Sequence, residues 1–271
     1  MSRIIAIASQ KGGTSKTTTC RNLATVLKEK GYKVLVIDSD NQANLTDCFG
    51  IEKPEQLEVT LYDLMEKVIM EEDLPKKEEY IITKEEIDII PASIKLSDIE
   101  IKLVSAMSRE YILRTIIDEI KDDYDYILID SMPSLGLMTL NVLSACDSVL
   151  IPATAEYLSA KGLELLLKTI FKIKKRINKN IEFEGILLTM FESRTNLSKD
   201  ILNMIKNSYG DYIRVFETVI PRSVKVGEAN AKSKSIIEYM PNNKAAIAYN
   251  NFTDELLNYS DEDSSQIKEV I

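Results

Sequence analysis

The sequence predicts an α/β fold in which a doubly wound, mostly parallel sheet is flanked by helices. Short apolar runs typical of buried strands alternate along the chain with segments whose apolar residues recur at helical spacing. The 271 residues, 45% of them hydrophobic and 28% charged, suffice for one large core. No internal repeat or linker interrupts the alternation. We therefore expect one domain over residues 1–258, followed by an acidic, flexible tail at 259–271.

The chain opens with an apolar run, a glycine-containing segment and a helical pattern, at residues 4–8, 9–18 and 19–27. Gly12 and Gly13 let the backbone turn tightly and direct N–H groups towards a phosphate chain, and the helix start adds a positive dipole end. In a phosphate-binding loop (P-loop), Lys16 would reach the β- and γ-phosphates and the Thr17 hydroxyl would bind Mg²⁺. The alternative is a plain glycine turn with surface lysines.

Two further apolar runs end in acidic residues. The run at 33–37 leads into Asp38 and Asp40, and the run at 126–129 is closed by Asp130. Carboxylates at the carboxyl ends of parallel strands face the crevice in which α/β sheets bind ligands. The second run has the pattern of a Walker B strand, whose aspartate holds Mg²⁺ directly or through water. Either acid alone could cap a turn, and only together with the P-loop do they indicate phosphoryl transfer.

The later elements continue the alternation. Strands are expected at 87–92, 148–152, 183–190 and 216–221. Helices are expected from residue 60, near 97–107 and 109–121, from 156 onward and over 245–257. The charged segment at 71–86 is expected to be solvated.

Composition excludes several classes of protein. The chain has no histidine, so histidine acid–base chemistry is excluded, and its net charge of −9 opposes attraction of the whole surface to nucleic acid. A local basic patch could still bind DNA. Cys20, Cys48 and Cys146 form neither a disulfide framework nor a zinc spacing, which fits a cytoplasmic protein. No apolar run approaches the length of a membrane span.

Two segments resemble motifs of the ParA/MinD family of ATPases. Residues 11–17, KGGTSKT, resemble its deviant Walker A motif KGGxGKT, with Ser15 in place of a glycine. Residues 38–46 resemble its D-x-D-P-Q-x-N-x-T switch, with Asn41 in place of proline. The resemblance extends over residues 3–258.

Two more segments support the resemblance to this family and favour one of its branches. Residues 131–136, SMPSLG, resemble the family's second switch, D-x-P-P-S-L-G, with Met132 in place of the first proline. Residues 220–225, IPRSVK, resemble the signature I-P-R-N-V-R, which favours the ParA partition branch over MinD.

The resemblance implies ATP hydrolysis with Mg²⁺, with catalytic roles for Lys11, Lys16 and Asp40. Lys11 would cross a dimer interface to the partner's ATP, Lys16 would neutralise phosphates, and Asp40 would position the attacking water while Asp38 supports its loop. The implied nucleotide contacts are Lys11, Gly12, Gly13, Thr14, Ser15, Lys16, Thr17, Thr18, Met190 and Pro221. The implied metal site comprises Thr17, Asp40 and Asp130.

The resemblance also implies DNA binding without sequence preference, through Arg194, Arg222 and Lys225. A separate basic run at 168–179 is as compatible with a solvated helix face as with a DNA surface. The implied function is plasmid or chromosome partition by an ATPase that is weak without its partner. It would dimerise on ATP, bind the nucleoid in the cytoplasm, and leave it after hydrolysis stimulated by a ParB-type protein.

Three alternatives remain open. A MinD-like ATPase, or one that positions cargo on a membrane or protein scaffold, would share the P-loop. The membrane version needs a basic amphipathic C-terminal helix, whereas residues 259–271 are acidic. An iron–sulfur reductase like that of nitrogenase needs two interface cysteines per subunit, which Cys146 alone does not provide. A nucleotide switch with very slow turnover is the non-enzymatic alternative.

Overall fold

A seven-stranded sheet forms the centre of the computed structural model, which describes residues 2–259. The strands are β1 (Arg3–Ile7), β2 (Val34–Ser39), β3 (Ile82–Lys84), β4 (Ile87–Ile90), β5 (Tyr126–Ser131), β6 (Ser148–Thr154) and β7 (Glu182–Thr189). Their order is β3-β4-β2-β5-β1-β6-β7, and each neighbouring pair is parallel except β3 with β4. The expected doubly wound, mostly parallel fold is confirmed.

Helices cover both faces of this sheet. They are α1 (Lys16–Glu29), α2 (Asn44–Cys48), α3 (Leu61–Ile69), α4 (Ile99–Ser105), α5 (Ile112–Asp118), α6 (Leu137–Ala145), α7 (Tyr157–Arg176), α8 (Asn196–Tyr209), α9 (Val224–Asn230), α10 (Ile236–Tyr239) and α11 (Lys244–Tyr259). Alternate residues of β1 enter opposite cores: Ile4 packs with the cluster that includes α3, α5, α6 and α7, and Ile5 with the cluster that includes α1 and α11.

The expected strand at 216–221 is wrong. The segment forms no continuous ladder: isolated parallel bridges pair Val215 with Ile186 of β7 and Pro221 with Phe191, which follows β7. Between the bridges, the N–H groups of Glu217 and Thr218 donate to the carboxylate of Glu255 in α11, at 2.8 and 3.0 Å. Because these donors are occupied by a side chain distant in sequence, the segment cannot continue a ladder with β7.

The charged segment at 71–86 is largely exposed, as expected, with one exception. Tyr80 is only 2% exposed and belongs to the core beneath α3 and α5. The segment also contains β3, a short strand that the sequence interpretation did not anticipate.

Among residues 2–259, no helix combines the length and the apolar character needed to cross a bilayer. From residue 260 onward, the tail expected at 259–271 lies outside the described residues.

Candidate active site

The loop between β1 and α1 has the backbone that a phosphate-binding loop requires. Gly13 and Ser15 have left-handed φ angles of 74° and 65°. A Cβ added at Gly12 or Gly13 would meet nothing within 4 Å, so the surface of the loop is open to a ligand. Helix α1 starts at Lys16 with neither a side-chain cap nor an acidic residue in its first turn. Its first N–H groups are therefore suited to binding an anion.

The sheet places this loop beside the Walker B strand. Strands β1 and β5 are paired in parallel so that Ile7 lies opposite Asp130. The Thr17 hydroxyl donates to Asp130 Oδ2 at 2.6 Å. Lys16 is 7% exposed, and burial lowers its pKa while Asp130 and Asp40 oppose that shift. The two carboxylates favour the charged form of the buried ammonium, and a charged ammonium donates strong hydrogen bonds to phosphate oxygens.

Asp130 has one carboxylate oxygen without a hydrogen-bond partner among residues 2–259, its buried Oδ1. Burial, together with the nearby charge of Asp38, raises the pKa of Asp130 well above its usual range. A buried, unpaired carboxylate oxygen is costly, and a divalent cation would offset that cost. A carboxylate beside a threonine hydroxyl and a phosphate site is the donor set that Mg²⁺ takes, so these residues fit Mg²⁺.

Asp38 and Asp40 have different surroundings after β2. Asp38 is fully buried and accepts hydrogen bonds from the Thr46 N–H at 2.8 Å, the Thr46 hydroxyl at 2.7 Å and the Asp40 N–H at 3.1 Å. Burial raises the pKa of Asp38 to about 6. Asp38 thus anchors the loop, while the carboxylate of Asp40 accepts from the Gln42 N–H at 3.0 Å and lies on the wall of a cleft.

This cleft, of about 640 Å³, lies at the carboxyl edge of the sheet, and its size suits a small-molecule ligand. It collects most of the residues implied by the resemblance. Its lining comprises Gly12, Gly13, Thr14, Ser15, Lys16, Thr17, Thr18, Asp40, Asn41, Gln42, Asn44, Asp47, Cys48, Met132, Pro133, Ser134, Asn230 and Ala231.

Asn230 is a cleft residue that the sequence interpretation missed. Its Nδ2 lies 3.4 Å from the Thr18 hydroxyl, and its buried Oδ1 has no hydrogen-bond partner among residues 2–259. Helix α9 is distant from the P-loop in sequence and lies beside it only in the folded structure. A single asparagine in that helix therefore gives no recognisable sequence pattern.

Four of the implied nucleotide and metal residues do not line this cleft, and one of them, Asp130, is buried behind Thr17. The Lys11 ammonium forms an ion pair with Glu156 of its own chain. Met190, which is 38% exposed, directly follows Thr189, whose hydroxyl donates to the Thr14 carbonyl at 3.0 Å. Pro221 pairs with the segment that follows Met190. Met190 therefore follows a residue that contacts the P-loop, and neither Met190 nor Pro221 lines the cleft.

The implied DNA-binding residues lie on two neighbouring segments. The exposed Arg222 pairs with Glu192 at 2.9 Å, which brings it beside the loop that carries Arg194. Arg194 has no ion pair within residues 2–259, and Lys225 pairs with Glu228 at 2.7 Å. Exposed pairs of this kind contribute little, so the cations remain able to meet another anion.

The basic run at 168–179 is not one continuous charged face. Lys168 pairs with Glu164 at 2.5 Å, one turn earlier in α7. Lys172 and Arg176 flank an apolar groove between α6 and α7.

Comparison with known proteins gives a consistent family. Residues 2–183 match the AAA domain family AAA_31. The sporulation initiation inhibitor protein Soj of Bacillus subtilis is 43% identical over 249 residues, which cover 92% of this chain and 96% of that protein. The chromosome partitioning protein ParA of Myxococcus xanthus is 39% identical over 249 residues, covering 91% of this chain and 85% of that one.

Solved structures agree with this relationship. Cobyrinic acid a,c-diamide synthase from Mycobacterium smegmatis, with bound ADP and magnesium, superposes with a TM-score of 0.82 at 31% identity and covers 97% of this chain and 96% of its own. A plasmid partition protein from Borrelia burgdorferi superposes with a TM-score of 0.74 at 26% identity, over 95% and 99% of the two chains. The chain belongs to the AAA domain family and, within it, to the ParA/Soj branch of the ParA/MinD family of P-loop ATPases.

Proposed function

We propose that this protein is a partition ATPase that binds ATP and Mg²⁺ in the 640 Å³ cleft and uses them to control DNA binding. The observation that carries the proposal is the contact of Thr17 with Asp130, whose second carboxylate oxygen is buried and unpaired within residues 2–259. The same cycle would move a plasmid or chromosome, with a ParB-type partner stimulating hydrolysis. Relatives named for chromosome partitioning support this choice.

Each residue of the cleft has a separate task in this proposal. Lys16 and the N–H groups of the loop neutralise the phosphates, and Thr17 with Asp130 holds the metal ion. Bound Mg²⁺ would neutralise charge on the phosphates as it does in other P-loop enzymes. Asp40 orients the attacking water from the rim of the cleft.

Binding and hydrolysis are tested with two variants. Lys16→Ala should weaken ATP binding more than tenfold, because it removes the buried cation that meets the phosphates. Asp40→Asn should retain ATP binding while the hydrolysis rate falls about 100-fold, the size of effect expected for a group that positions water or accepts its proton. Isothermal titration and phosphate release measure the two quantities. Hydrolysis at the unaltered rate by Asp40→Asn would exclude the role given to this carboxylate.

Dimerisation is tested through Lys11, which the cleft of its own chain does not use. We expect light scattering to give a monomer with ADP and a dimer with ATP or a non-hydrolysable analogue. Lys11→Ala should bind ATP and remain a monomer, and Glu156→Ala, which removes only the partner of Lys11, is the control that should still dimerise. A Lys11→Ala protein that dimerised fully with ATP would contradict the arrangement.

DNA binding is tested by retention of duplex DNA with ATP at low salt. Arg194→Ala/Arg222→Ala/Lys225→Ala should lower retention at least tenfold and reduce the salt dependence, because fewer phosphates are neutralised.

The matched control is Arg109→Ala/Arg114→Ala/Lys121→Ala, which removes the same charge from a different part of the surface and should leave retention unchanged. An equal loss in both triple variants would assign binding to net charge alone.

A further inference from the structure

Arg21 is a buried arginine in α1, one helical turn after Thr17. Its side chain is 0% exposed, and its guanidinium carbon lies 4.1 Å from the centroid of the Phe49 ring. Nη2 donates to Glu238 at 3.3 Å and also to Glu85. Nε and Nη1 are buried without a hydrogen-bond partner among residues 2–259. Because a buried cation with unpaired donors stabilises a fold poorly, core stability does not account for this side chain.

The contacts of Arg21 join three segments that are distant in sequence. Phe49 directly follows α2, Glu85 lies in the turn between β3 and β4, and Glu238 belongs to α10. Burial opposes ionisation of Glu238, but hydrogen bonds from Ser235 and the charge of Arg21 prevail and lower its pKa. The guanidinium therefore faces an ionised carboxylate of α10, and this pair fixes α10 against α1.

Helix α10 is rigidly linked to one wall of the nucleotide cleft. Three consecutive N–H groups, at 232–234, donate back to the carbonyls of Ala229 and Asn230 at 2.9 to 3.0 Å. Asn230, in α9, lines the cleft beside the P-loop. Because these hydrogen bonds close the short link between the two helices, a displacement of α10 would carry Asn230 with it.

A second part of the cleft wall adjoins the same arginine. Asp47 and Cys48 line the cleft, and the next residue is Phe49, whose ring lies over the guanidinium. The Ser233 hydroxyl donates to the Asp47 carbonyl at 3.2 Å, which ties this part of the wall to the link between α9 and α10. Both parts of the wall are thus arranged around one buried side chain.

We propose that Arg21 is a positioning residue for the nucleotide site, holding α10 and α2 so that Asn230 meets the nucleoside part of ATP. This role rests on the proposed function. Arg21 does not itself line the cleft. The unpaired Oδ1 of Asn230 is an acceptor and cannot face phosphate oxygens, so it is suited to a hydroxyl of the nucleoside. Loss of Arg21 should therefore weaken binding of the nucleoside and leave binding of the phosphates intact.

The test compares Mg²⁺-ATP with inorganic tripolyphosphate and Mg²⁺ by isothermal titration of the full-length protein. Arg21→Met should bind ATP about fivefold more weakly, the effect of one lost hydrogen bond to a buried acceptor, and bind tripolyphosphate within about twofold of the unaltered protein. Glu238→Gln should weaken ATP about threefold in the same selective way. It decides the question if Arg21→Met does not fold.

A double variant tests whether Arg21 acts through Asn230. Asn230→Ala and Arg21→Met/Asn230→Ala should bind ATP with affinities within about twofold of each other, because the second change has no contact left to misplace. Losses that multiply in the double variant would overturn the proposal.

Two controls separate positioning from stability. Glu85→Gln removes the other carboxylate from Arg21, and the turn that carries it lines no part of the cleft, so both ligands should bind normally. Arg3→Met removes the pair with the buried Glu184 at 2.7 Å, at the opposite edge of the sheet. It should lower the urea midpoint and leave the ratio of the two affinities unchanged.

The outcomes distinguish this role from the proposed function. An Arg21→Met protein that binds ATP normally, or that loses both ligands equally, would contradict the role of Arg21 alone. Failure of the unaltered protein to bind ATP would contradict the proposed function and the role of Arg21 together.

Discussion

Ser15 occupies a backbone conformation that favours glycine. Its φ of 65° is left-handed, and its side chain gives helix α1 no capping hydrogen bond. A residue other than glycine or asparagine in this conformation loses about 1 kcal/mol of stability. The serine noted in the sequence as a departure from KGGxGKT is therefore strained.

We expect Ser15→Gly to raise the free energy of unfolding by about 1 kcal/mol, because glycine adopts this φ without a steric penalty. Urea unfolding without nucleotide measures the change. Ser15→Ala is the control and should lie within about 0.5 kcal/mol of the unaltered protein, since it keeps the strain and loses no cap. A destabilised Ser15→Gly would show that the serine side chain has a contact role.

Asn230 gives the second residue-scale prediction. Its buried Oδ1 is an acceptor without a partner among residues 2–259, and it cannot face phosphate oxygens, which are acceptors too. We expect it to accept from a hydroxyl of the ribose, with Thr18 alongside. Asn230→Ala should weaken ATP binding about fivefold, the effect of one hydrogen bond to a buried acceptor.

The measurement compares ATP with its 2′-deoxy and 3′-deoxy analogues by isothermal titration. We expect the unaltered protein to bind one of the two analogues about fivefold more weakly than it binds ATP. Asn230→Ala should bind that analogue and ATP with equal affinity. Equal affinities for all three nucleotides in the unaltered protein would contradict the assignment.

At the scale of elements, the segment at 216–221 shows how a side chain replaces a strand partner. The Glu255 carboxylate receives the N–H groups of Glu217 and Thr218 and pairs with Arg214 at 3.4 Å. Burial opposes ionisation of Glu255, but these hydrogen bonds prevail and lower its pKa. The Glu255 carboxylate thereby links helix α11 to the segment at 216–221, in addition to the apolar packing of that helix.

Glu255→Gln should lower the free energy of unfolding by about 2 kcal/mol at neutral pH, because an ionised acceptor of two N–H groups is lost. A lowered pKa in the folded state means that the contribution is complete above the ordinary glutamate pKa of 4.5 and disappears as pH falls through the folded value. The difference between the two proteins should therefore shrink below about pH 4.5.

Urea unfolding followed by circular dichroism at neutral and acidic pH checks this prediction. Asp254→Asn is the control, since its exposed pair with Lys30 should contribute less than about 0.5 kcal/mol. A pH-independent difference between Glu255→Gln and the unaltered protein would show that the carboxylate is not ionised there.

At the scale of the whole molecule, nucleotide binding should raise the free energy of unfolding and the melting temperature. A ligand at 100 times its dissociation constant adds about 2.7 kcal/mol, which corresponds to roughly 5–10 °C in the melting temperature of a domain of this size. We expect ATP with Mg²⁺ to give that shift and a chelator to remove most of it, because Asp130 then faces the phosphates without a cation. Differential scanning calorimetry measures the shift, and Lys16→Ala should show none. An unchanged melting temperature in the unaltered protein would contradict ATP binding.

The sequence predicted the features that local pattern determines. β1, β2 and β5 were recognised because each is a buried apolar run, and acids at the ends of two of them placed the cleft. Helix α3 starts after Thr60, as expected, because Asp63 completes a capping box with it. The P-loop residues were found for the same reason, since one continuous segment carries them.

The remaining features depend on contacts between distant residues. Asn230 lies at the cleft because of the packing of α9. Glu255, in helix α11, occupies N–H groups that would otherwise continue a strand ladder with β7. Tyr80 is buried although its neighbours in sequence are charged, because α3 and α5 lie over it. None of these contacts leaves a periodic signal in the segment concerned.

The ion pair between Lys11 and Glu156 has a consequence for two copies that meet. An exposed pair contributes at most about 1 kcal/mol, so thermal motion opens it readily and the ammonium is never locked in place. While it is closed, each surface hides a positive charge that would otherwise repel its counterpart across a twofold axis. The closed pair then adds no repulsion at this position between empty molecules, and in the proposed dimer the neighbour's nucleotide would be the stronger anion that draws the side chain across.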